Sequence, residues 1–165
     1  MQGASFVARL PISYHTFFVA IGRATLPIYW ALALIIVSCL VLPIDTQLGL
    51  AGFVCLICIP IATILKLIFR RSRPKTLYAQ HMKIKSYSFP SSHAYSATVA
   101  GGYFTILSLA VLSGFAEYIV ASVLILFIVI IGISRIHIGA HYPTDVSAGW
   151  TLGIVVLFAI THMPL

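Results

Sequence analysis

Residues 116–134 read AEYIVASVLILFIVIIGIS, an apolar run whose only charged residue is Glu117. An α-helix rises about 1.5 Å per residue, so about 20 apolar residues cross the roughly 30 Å hydrocarbon core of a bilayer. Arg135 follows the run directly and marks the boundary where the chain leaves the apolar layer. The stretch therefore predicts a transmembrane helix.

The rest of the chain has the same character. Of the 165 residues, 61% are hydrophobic and 8% are charged, whereas a soluble domain carries about 25% charged residues. Because backbone that crosses lipid must satisfy its own hydrogen bonds, we predict an all-α, polytopic transmembrane helix bundle. It has about five spans, at residues 25–43, 48–69, 92–113, 116–134 and 144–162.

Domain organisation follows from the same pattern. We expect residues 1–165 to form a single membrane-embedded domain. Residues 1–24 mix charged and apolar side chains, which predicts an N-terminal interfacial helix, with a sixth span as the alternative. Cys39, Cys55 and Cys58 lie in apolar runs, so we interpret them as small buried hydrophobes, with a redox or metal pair as the alternative for the last two.

The charges segregate between the two predicted membrane faces. The net charge is +7, and the basic residues fall at the face that also holds His93, His141 and Asp145. Asp45 and Glu117 fall at the opposite face. Because the positive charge is not spread over a water-exposed surface, we expect no nucleic-acid partner. A membrane-bound anionic ligand fits this distribution better.

The first cluster of polar residues is KLIFRRSRP, residues 66–74. Lys66 and Arg73 are seven residues apart, which predicts two helical turns and a shared helix face, and Pro74 predicts that the helix ends near Arg73. Lys66 then lies inside the membrane, where a cation either marks a functional site or snorkels to the headgroups. The neighbouring basic residues are interpreted as mostly solvated or lipid-facing: Arg70, Arg71, Lys75, Lys83 and Lys85.

The second cluster, Pro90-Ser91-Ser92-His93, predicts the start of a helix. Ser91 is the expected N-cap, and the free N–H groups of a first turn bind anions. His93 can transfer a proton near neutral pH. Such a cap is common at helix starts, so the second cluster indicates a functional site only in combination with the first and third clusters. The polar segment 74–91 that precedes it is the only connection long enough to form a lid.

The third cluster runs from Ser134 to Asp145. Pro143 suits the first position of a helix, which places Asp145 in its first turn. An Asp four residues after His141 can accept a hydrogen bond from one imidazole nitrogen and leave the other free to attack, although a structural cap pair is the alternative. Arg135 is close enough in sequence to bind an anion, whereas His137 is interpreted as a bystander.

Together these clusters supply the groups that phosphomonoester cleavage needs. Fixed cations and a helix N-terminus stabilise charge on a phosphoryl group in transfer. One histidine can attack while another protonates the leaving oxygen. The chain has three acidic residues, too few and too scattered for a carboxylate cluster that holds two metal ions. We therefore expect no metal and no other cofactor.

The three clusters resemble the motifs of the type 2 phosphatidic acid phosphatase superfamily, integral membrane lipid phosphatases that share their core with vanadium haloperoxidases. The family pattern is Lys-(six residues)-Arg-Pro, Pro-Ser-Gly-His, and Ser-Arg-(five residues)-His-(three residues)-Asp. Residues 66–145 match it in order, with Ser92 where glycine is usual. A helix first turn does not need the conformational freedom of glycine. The family often has six spans, one more than predicted here.

The resemblance implies a role for each matched residue. His141 is the expected nucleophile, Asp145 its orienting partner and His93 the general acid. The expected phosphate ligands are Lys66, Arg73, Arg135, Ser91 and the amide of Ser92. The implied reaction is hydrolysis of a lipid phosphomonoester or diphosphate, of the phosphatidic acid, phosphatidylglycerol phosphate or polyprenyl phosphate class, through a phosphohistidine.

Two other functions and the orientation stay open at the level of sequence. One alternative is a lipid phosphotransferase on the same fold, and the other is a non-enzymatic channel or haem carrier that uses the six histidines. We expect an integral protein of a bacterial or archaeal plasma membrane. Its oligomeric state is left open. The positive-inside rule predicts a cytoplasmic site, whereas the resemblance implies an extracytoplasmic one.

Overall fold

The computed structural model describes residues 12–82 and 86–164. Within these ranges the chain forms helices α1 (Ile12–Ala24), α2 (Pro27–Val41), α3 (Thr46–Cys58), α4 (Ile61–Phe69), α5 (Leu77–Gln80), α6 (Ser92–Val111), α7 (Phe115–His137) and α8 (Pro143–Thr161). Four spans are long and apolar enough to cross a membrane, namely Thr46–Phe69, Ser92–Val111, Phe115–His137 and Pro143–Thr161. A fifth exists if α1 and α2 count as one bent span. The predicted all-α transmembrane bundle is confirmed.

The first helices form a bent pair. Pro27 opens α2, and the helix axis turns by 43° between residues 16–24 and 27–41. The 15 residues of α2 extend about 22 Å, less than the hydrocarbon core, so α2 alone is too short to span. A helix is thus present in the N-terminal segment from Ile12 onward, and it packs against α7. Residues 1–11 of that segment lie outside the described residues.

The span from Thr46 to Phe69 is broken at Pro60, between α3 and α4. Proline has no N–H and cannot continue the helical hydrogen-bond ladder, which leaves nearby carbonyl groups without their usual donors. The hydroxyl of buried Tyr95 on α6 donates to the carbonyl oxygen of Cys58 at 2.8 Å. A polar group freed within the membrane thickness is therefore satisfied by a neighbouring helix, as lipid requires.

Small residues bring α6 and α8 into close contact. A Cβ at Gly149 would lie 2.8 Å from the carbonyl oxygen of Ser91, and one at Gly153 would lie 2.6 Å from Cβ of Thr98. Glycines four residues apart let two helix backbones approach in this way. The Ser91 N–H also donates to the Asp145 carbonyl oxygen at 2.9 Å. The second and third motifs are thereby fixed side by side.

The helix that carries Lys66 ends earlier than predicted. Arg70 adopts a left-handed conformation with φ of 48° and its N–H closes on the carbonyl oxygen of Lys66. The chain therefore leaves the helix after Phe69, and Arg73 lies in the following loop. The prediction that Lys66 and Arg73 share one helix face is wrong, because the turn at Arg70 brings them together instead.

Candidate active site

His141 lies in the turn between α7 and α8 with 5% of its surface exposed. Its Nε2 is 3.3 Å from Nη1 of Arg73, and its Nδ1 is 3.6 Å from Oδ2 of Asp145. A guanidinium can only donate hydrogen bonds, so Nε2 must present its lone pair and Nδ1 must carry the proton. This is the tautomer that an attack through Nε2 requires.

The surroundings of His141 keep its ring neutral. Burial, helped by the Lys66 and Arg73 cations and opposed by Asp145, lowers the pKa of His141 from its ordinary value of 6.5 to about 4. Desolvation and nearby positive charge both disfavour an imidazolium. At neutral pH Nε2 is therefore unprotonated and carries a lone pair, which here faces the Arg73 guanidinium.

The Asp145 carboxylate is fully buried at the start of α8 and is saturated with donors. Oδ2 accepts from the Ser88 hydroxyl and, at 2.9 Å, from the Tyr142 N–H, and Oδ1 accepts from Arg71 at 2.7 Å. The 3.6 Å separation from His141 Nδ1 exceeds a hydrogen bond. The predicted pair is present and faces the right way, but at this separation its hydrogen bond is not made.

Two predicted phosphate ligands are held by the loop that precedes α6. Lys66 is 5% exposed and its Nζ donates to the carbonyl oxygens of Tyr87 at 2.9 Å and Ser88 at 3.4 Å. It therefore points into the protein and does not snorkel. Arg73 donates to Ser86 through Nε and Nη2 and to the Ala140 carbonyl oxygen through Nη1. Both cations are fixed before any substrate arrives, which electrostatic stabilisation requires.

Arg135, the third predicted cation, is 3% exposed near the end of α7. Its Nε donates to the Ser134 hydroxyl at 3.2 Å, and its Nη2 donates to the Phe18 carbonyl oxygen of α1 at 3.1 Å. The Tyr78 hydroxyl of α5 also lies beside this guanidinium. Arg135 is thus oriented by contacts with its own helix, with α1 and with α5.

The second motif forms the predicted helix start. Ser91 is the N-cap of α6, and its hydroxyl accepts from the Ala94 N–H at 3.4 Å, so the helix begins at Ser92. Nε2 of His93 lies 3.2 Å from the Gly22 carbonyl oxygen of α1. The ring is within electrostatic range of Arg135, His141 and Lys66. The structure thus gathers all eight predicted site residues at one end of the bundle, while their individual roles stay predictions.

Helix α1 contributes two contacts that sequence reasoning missed. Its carbonyl oxygens at Phe18 and Gly22 meet Arg135 and His93. A Cβ at Gly22 would lie 1.9 Å from Nη2 of Arg135, so the guanidinium occupies space that only glycine leaves open. Contacts between residues 71 and 117 positions apart give no local sequence signal. The N-terminal helix therefore positions both the predicted acid and a predicted phosphate ligand.

A side chain at Gly22 is expected to displace Arg135. Gly22→Ala should lower kcat/KM about 10- to 100-fold, since small misplacements of binding groups cost that much. Alanine favours helix more than glycine, so a loss cannot come from helix propensity. The control is Ala20→Leu, at an exposed position of the same helix, which should leave kcat/KM unchanged. Equal kinetics for Gly22→Ala and wild type would contradict this role of α1.

Arg71 and Ser88 were also missed. Arg71 was interpreted among the solvated or lipid-facing cations, and this is wrong for it, because it forms an ion pair with Asp145 at 2.7 Å. Arg70 and Lys75 are exposed as expected, and Lys83 and Lys85 lie outside the described residues. A run of basic residues carries no signal for which one turns inward. Ser88 had a weak signal, since it lies two residues before the second motif.

A groove of about 680 Å³ adjoins the predicted phosphate ligands. It lies between α4 and the loop before α6, and Lys66 and Arg73 form its inner end. The remaining lining residues are Thr63, Leu67, Ala79, Gln80, Ser86 and Tyr87. Leu67 has 62% of its surface exposed. The wall of the groove therefore contains two cations and an exposed apolar side chain. Within residues 12–82 and 86–164, no three His, Cys, Asp or Glu side chains are grouped to hold a metal ion.

Cations around a histidine whose pKa is lowered are the groups expected of an anion site with a nucleophile. Residues 46–165 match the model of the PAP2 superfamily, so the chain belongs to this superfamily. The resemblance inferred from the three motifs is confirmed.

Two curated relatives match part of the chain. Phosphatidylglycerophosphatase B of Bacillus subtilis is 35% identical over 102 residues, 59% of this chain and 48% of that protein. Dihydrosphingosine 1-phosphate phosphatase C823.11 of Schizosaccharomyces pombe is 36% identical over 73 residues, 42% of this chain and 18% of that protein. The matches therefore span about half the length of the first relative and less of the second.

Two solved structures share the fold. The transmembrane PAP2 type phosphatidylglycerolphosphate phosphatase from Bacillus subtilis superposes with a TM-score of 0.77 at 20% identity, over 96% of this chain and 80% of that one. The LpxE structure from Aquifex aeolicus gives 0.71 at 15% identity, over 98% and 93%. At these identities the likeness establishes the architecture of the helix bundle.

Proposed function

We propose that this chain is a membrane lipid phosphatase that hydrolyses a lipid phosphomonoester or diphosphate through a phosphohistidine on His141. The observation that carries the proposal is the contact between Arg73 and Nε2 of His141. It fixes the ring as a neutral nucleophile next to a cation that can hold the phosphate under attack. Residues 1–165 are proposed to act as one membrane-embedded domain.

The chemistry follows from the positions of the groups. Nε2 of His141 attacks phosphorus and forms the N–P bond while the bond to the lipid oxygen breaks. The imidazolium that forms strengthens the attraction of Nδ1–H to the Asp145 carboxylate. His93 gives its proton to the leaving oxygen and then takes one from the water that cleaves the N–P bond. Lys66, Arg73, Arg135 and the first turn of α6 stabilise the charge on the transferring phosphoryl group.

The proposed substrate class rests on the groove and on the relatives. The names of both curated relatives describe phosphatases that act on phosphorylated lipids. The groove is lined by Lys66 and Arg73 and by the exposed Leu67 of α4, which suits a phosphate attached to a membrane-embedded tail. Phosphatidic acid, phosphatidylglycerol phosphate and polyprenyl phosphates all have this form.

Phosphate release from a panel of purified lipids in detergent tests the proposal. We expect turnover of at least one lipid phosphate, insensitive to chelators because His141 needs no metal to attack. Vanadate should inhibit, since it mimics the five-coordinate phosphoryl group of the transition state. Transfer of phosphate to an added alcohol without release to water would support the phosphotransferase alternative. No reaction with any panel member would refute both.

The groove is expected to admit the lipid tail. Leu67→Trp should lower turnover of a long-chain lipid about tenfold, by filling the groove, and leave a short soluble phosphate ester unaffected. The matched control is Ile68→Trp, next in sequence and 67% exposed but not among the groove residues. Equal losses on both substrates would mean that Leu67 supports the catalytic groups. Equal effects of the two tryptophans on lipid turnover would place the tail elsewhere.

We propose an extracytoplasmic site. Lys66, Arg73 and Arg135 are engaged at the site, so their position reflects chemistry, and Arg71 joins them through Asp145. These cations therefore weigh less in the positive-inside rule. The test is a cysteine at exposed Lys75 in a variant without native cysteines. A membrane-impermeant thiol reagent should label it in intact cells, and labelling only after lysis would place the site in the cytoplasm.

A further inference from the structure

Arg71 makes contacts that its neighbour Arg70 does not. Its Nη1 lies 2.7 Å from the Thr144 hydroxyl and 2.7 Å from Oδ1 of Asp145. Its guanidinium carbon stacks 4.3 Å above the centre of the Tyr142 ring. Arg70 is exposed and bonds to a carbonyl oxygen of its own helix, that of Leu67. After the left-handed turn at Arg70, the Arg71 side chain, still 39% exposed, reaches Asp145.

These contacts complete the restraint of the Asp145 carboxylate on both of its oxygens. Oδ2 of Asp145 is fixed by the Ser88 hydroxyl and the Tyr142 N–H, and Oδ1 by Arg71. The Ser88 N–H donates in turn to the Arg71 carbonyl oxygen at 2.8 Å. A planar guanidinium that binds a carboxylate while it stacks on a ring has few alternative orientations. The loop before α6 and the start of α8 are thereby joined at the group that faces His141.

We propose that Arg71 is a positioning residue, which holds Asp145 in the orientation that directs His141 and limits the negative charge that His141 experiences. The inference rests on the proposed role of His141 as nucleophile. Arg71 itself reaches Asp145 and Thr144 and acts through the carboxylate, not on the phosphate. It adds a fourth cation to the site, at one of the six positions that the first motif leaves unspecified.

An electrostatic effect of Arg71 on His141 can be distinguished from a purely structural role of Arg71. The charged and titratable groups around His141 are Lys66 on α4, Arg73 in the loop, His93 on α6, Arg135 on α7 and Asp145 on α8. Arg71 neutralises part of the Asp145 charge from the side opposite the histidine. Without Arg71 the carboxylate attracts a proton on His141 more strongly, so the pKa of His141 should rise. A merely structural residue would not move that pKa in a fixed direction.

The test compares Arg71→Gln with Arg70→Gln, since both remove one positive charge from adjacent positions. The readouts are lipid phosphate release and the titration of His141 by NMR, with isotope-labelled histidine and the His141→Ala spectrum for assignment. We expect Arg71→Gln to lower kcat about 10- to 100-fold with KM unchanged and to raise the pKa of His141. Arg70→Gln should do neither. Arg71→Lys should retain a pKa close to that of wild type and an intermediate kcat.

Two results would overturn the inference. One is identical behaviour of Arg71→Gln and Arg70→Gln, and the other is a loss of kcat without a shift in the pKa of His141. If the wild-type protein releases no phosphate from any lipid, the proposed function fails, and the NMR titration still decides whether Arg71 acts on His141. If Arg71→Gln does not fold, Arg71→Lys decides the question: a near-wild-type pKa of His141 with an intermediate kcat supports the inference, and a wild-type kcat overturns it.

Discussion

His141→Ala is expected to lower phosphate release about 10⁴-fold or more, the scale seen when a nucleophile is removed from a cooperating catalytic unit. Nε2 of His141 is the atom proposed to form the bond to phosphorus, and no other described imidazole nitrogen faces the Arg73 guanidinium. The measurement is phosphate release by purified variants in detergent at saturating lipid. Substrate binding should persist, because the three cations proposed to hold the phosphate are unchanged.

The control for this variant is His162→Ala. His162 is an exposed histidine at the far end of α8, against Phe158, and its loss should leave turnover unchanged. Thermal unfolding in detergent checks that both variants remain folded. A His141→Ala protein that stays folded and retains a tenth of wild-type turnover would show that another group attacks phosphorus.

Asp145→Asn should have the second largest effect, about 10⁴-fold on kcat. The carboxylate is proposed to orient Nδ1–H of His141 and to stabilise the imidazolium that would form when Nε2 attacks. An amide offers a single oxygen, so its NH₂ group must face either Arg71 or the Ser88 and Tyr142 donors. Because two donors then face each other at a buried position, the substitution should also destabilise the fold by about 1–3 kcal/mol. Phosphate release and thermal unfolding measure the two effects separately.

Asp45→Asn is the matched control for this change. Asp45 also begins a helix, since its carboxylate accepts from the Leu48 N–H at 2.9 Å, but it lies at the other end of the bundle. Asparagine caps helices about as well as aspartate, so stability and activity should both be retained. If Asp145→Asn loses no more activity than Asp45→Asn, the Asp145 carboxylate has no part in the chemistry.

The parts of the site that were predictable are local in sequence. His141 and Asp145 lie four residues apart around a helix start, so a proline and a short spacing suffice to place them together. Ser91 caps α6 because a serine before a helical run satisfies a free N–H. The membrane spans follow from composition, since an apolar run that crosses lipid must satisfy its own backbone hydrogen bonds and therefore forms a helix.

The parts that were missed depend on contacts between distant segments. Arg70 and Arg71 are chemically identical neighbours, and a single left-handed turn decides which of them meets Asp145. The contact between Phe18 and Arg135 joins residues more than a hundred positions apart. The seven-residue spacing of Lys66 and Arg73 fits two helical turns, yet the loop brings them together by another path. Tertiary contacts of this kind decide the positions of these side chains, and they produce no periodic pattern in the sequence.

The most direct test of the account is the stereochemical course at phosphorus. A lipid thiophosphate monoester made chiral with oxygen isotopes is hydrolysed in isotopically labelled water, and the configuration of the released thiophosphate is determined. Each in-line displacement inverts phosphorus, so attack by His141 followed by attack of water predicts overall retention. Overall inversion would mean that water attacks the lipid phosphate directly, and it would contradict the phosphohistidine at the centre of the account.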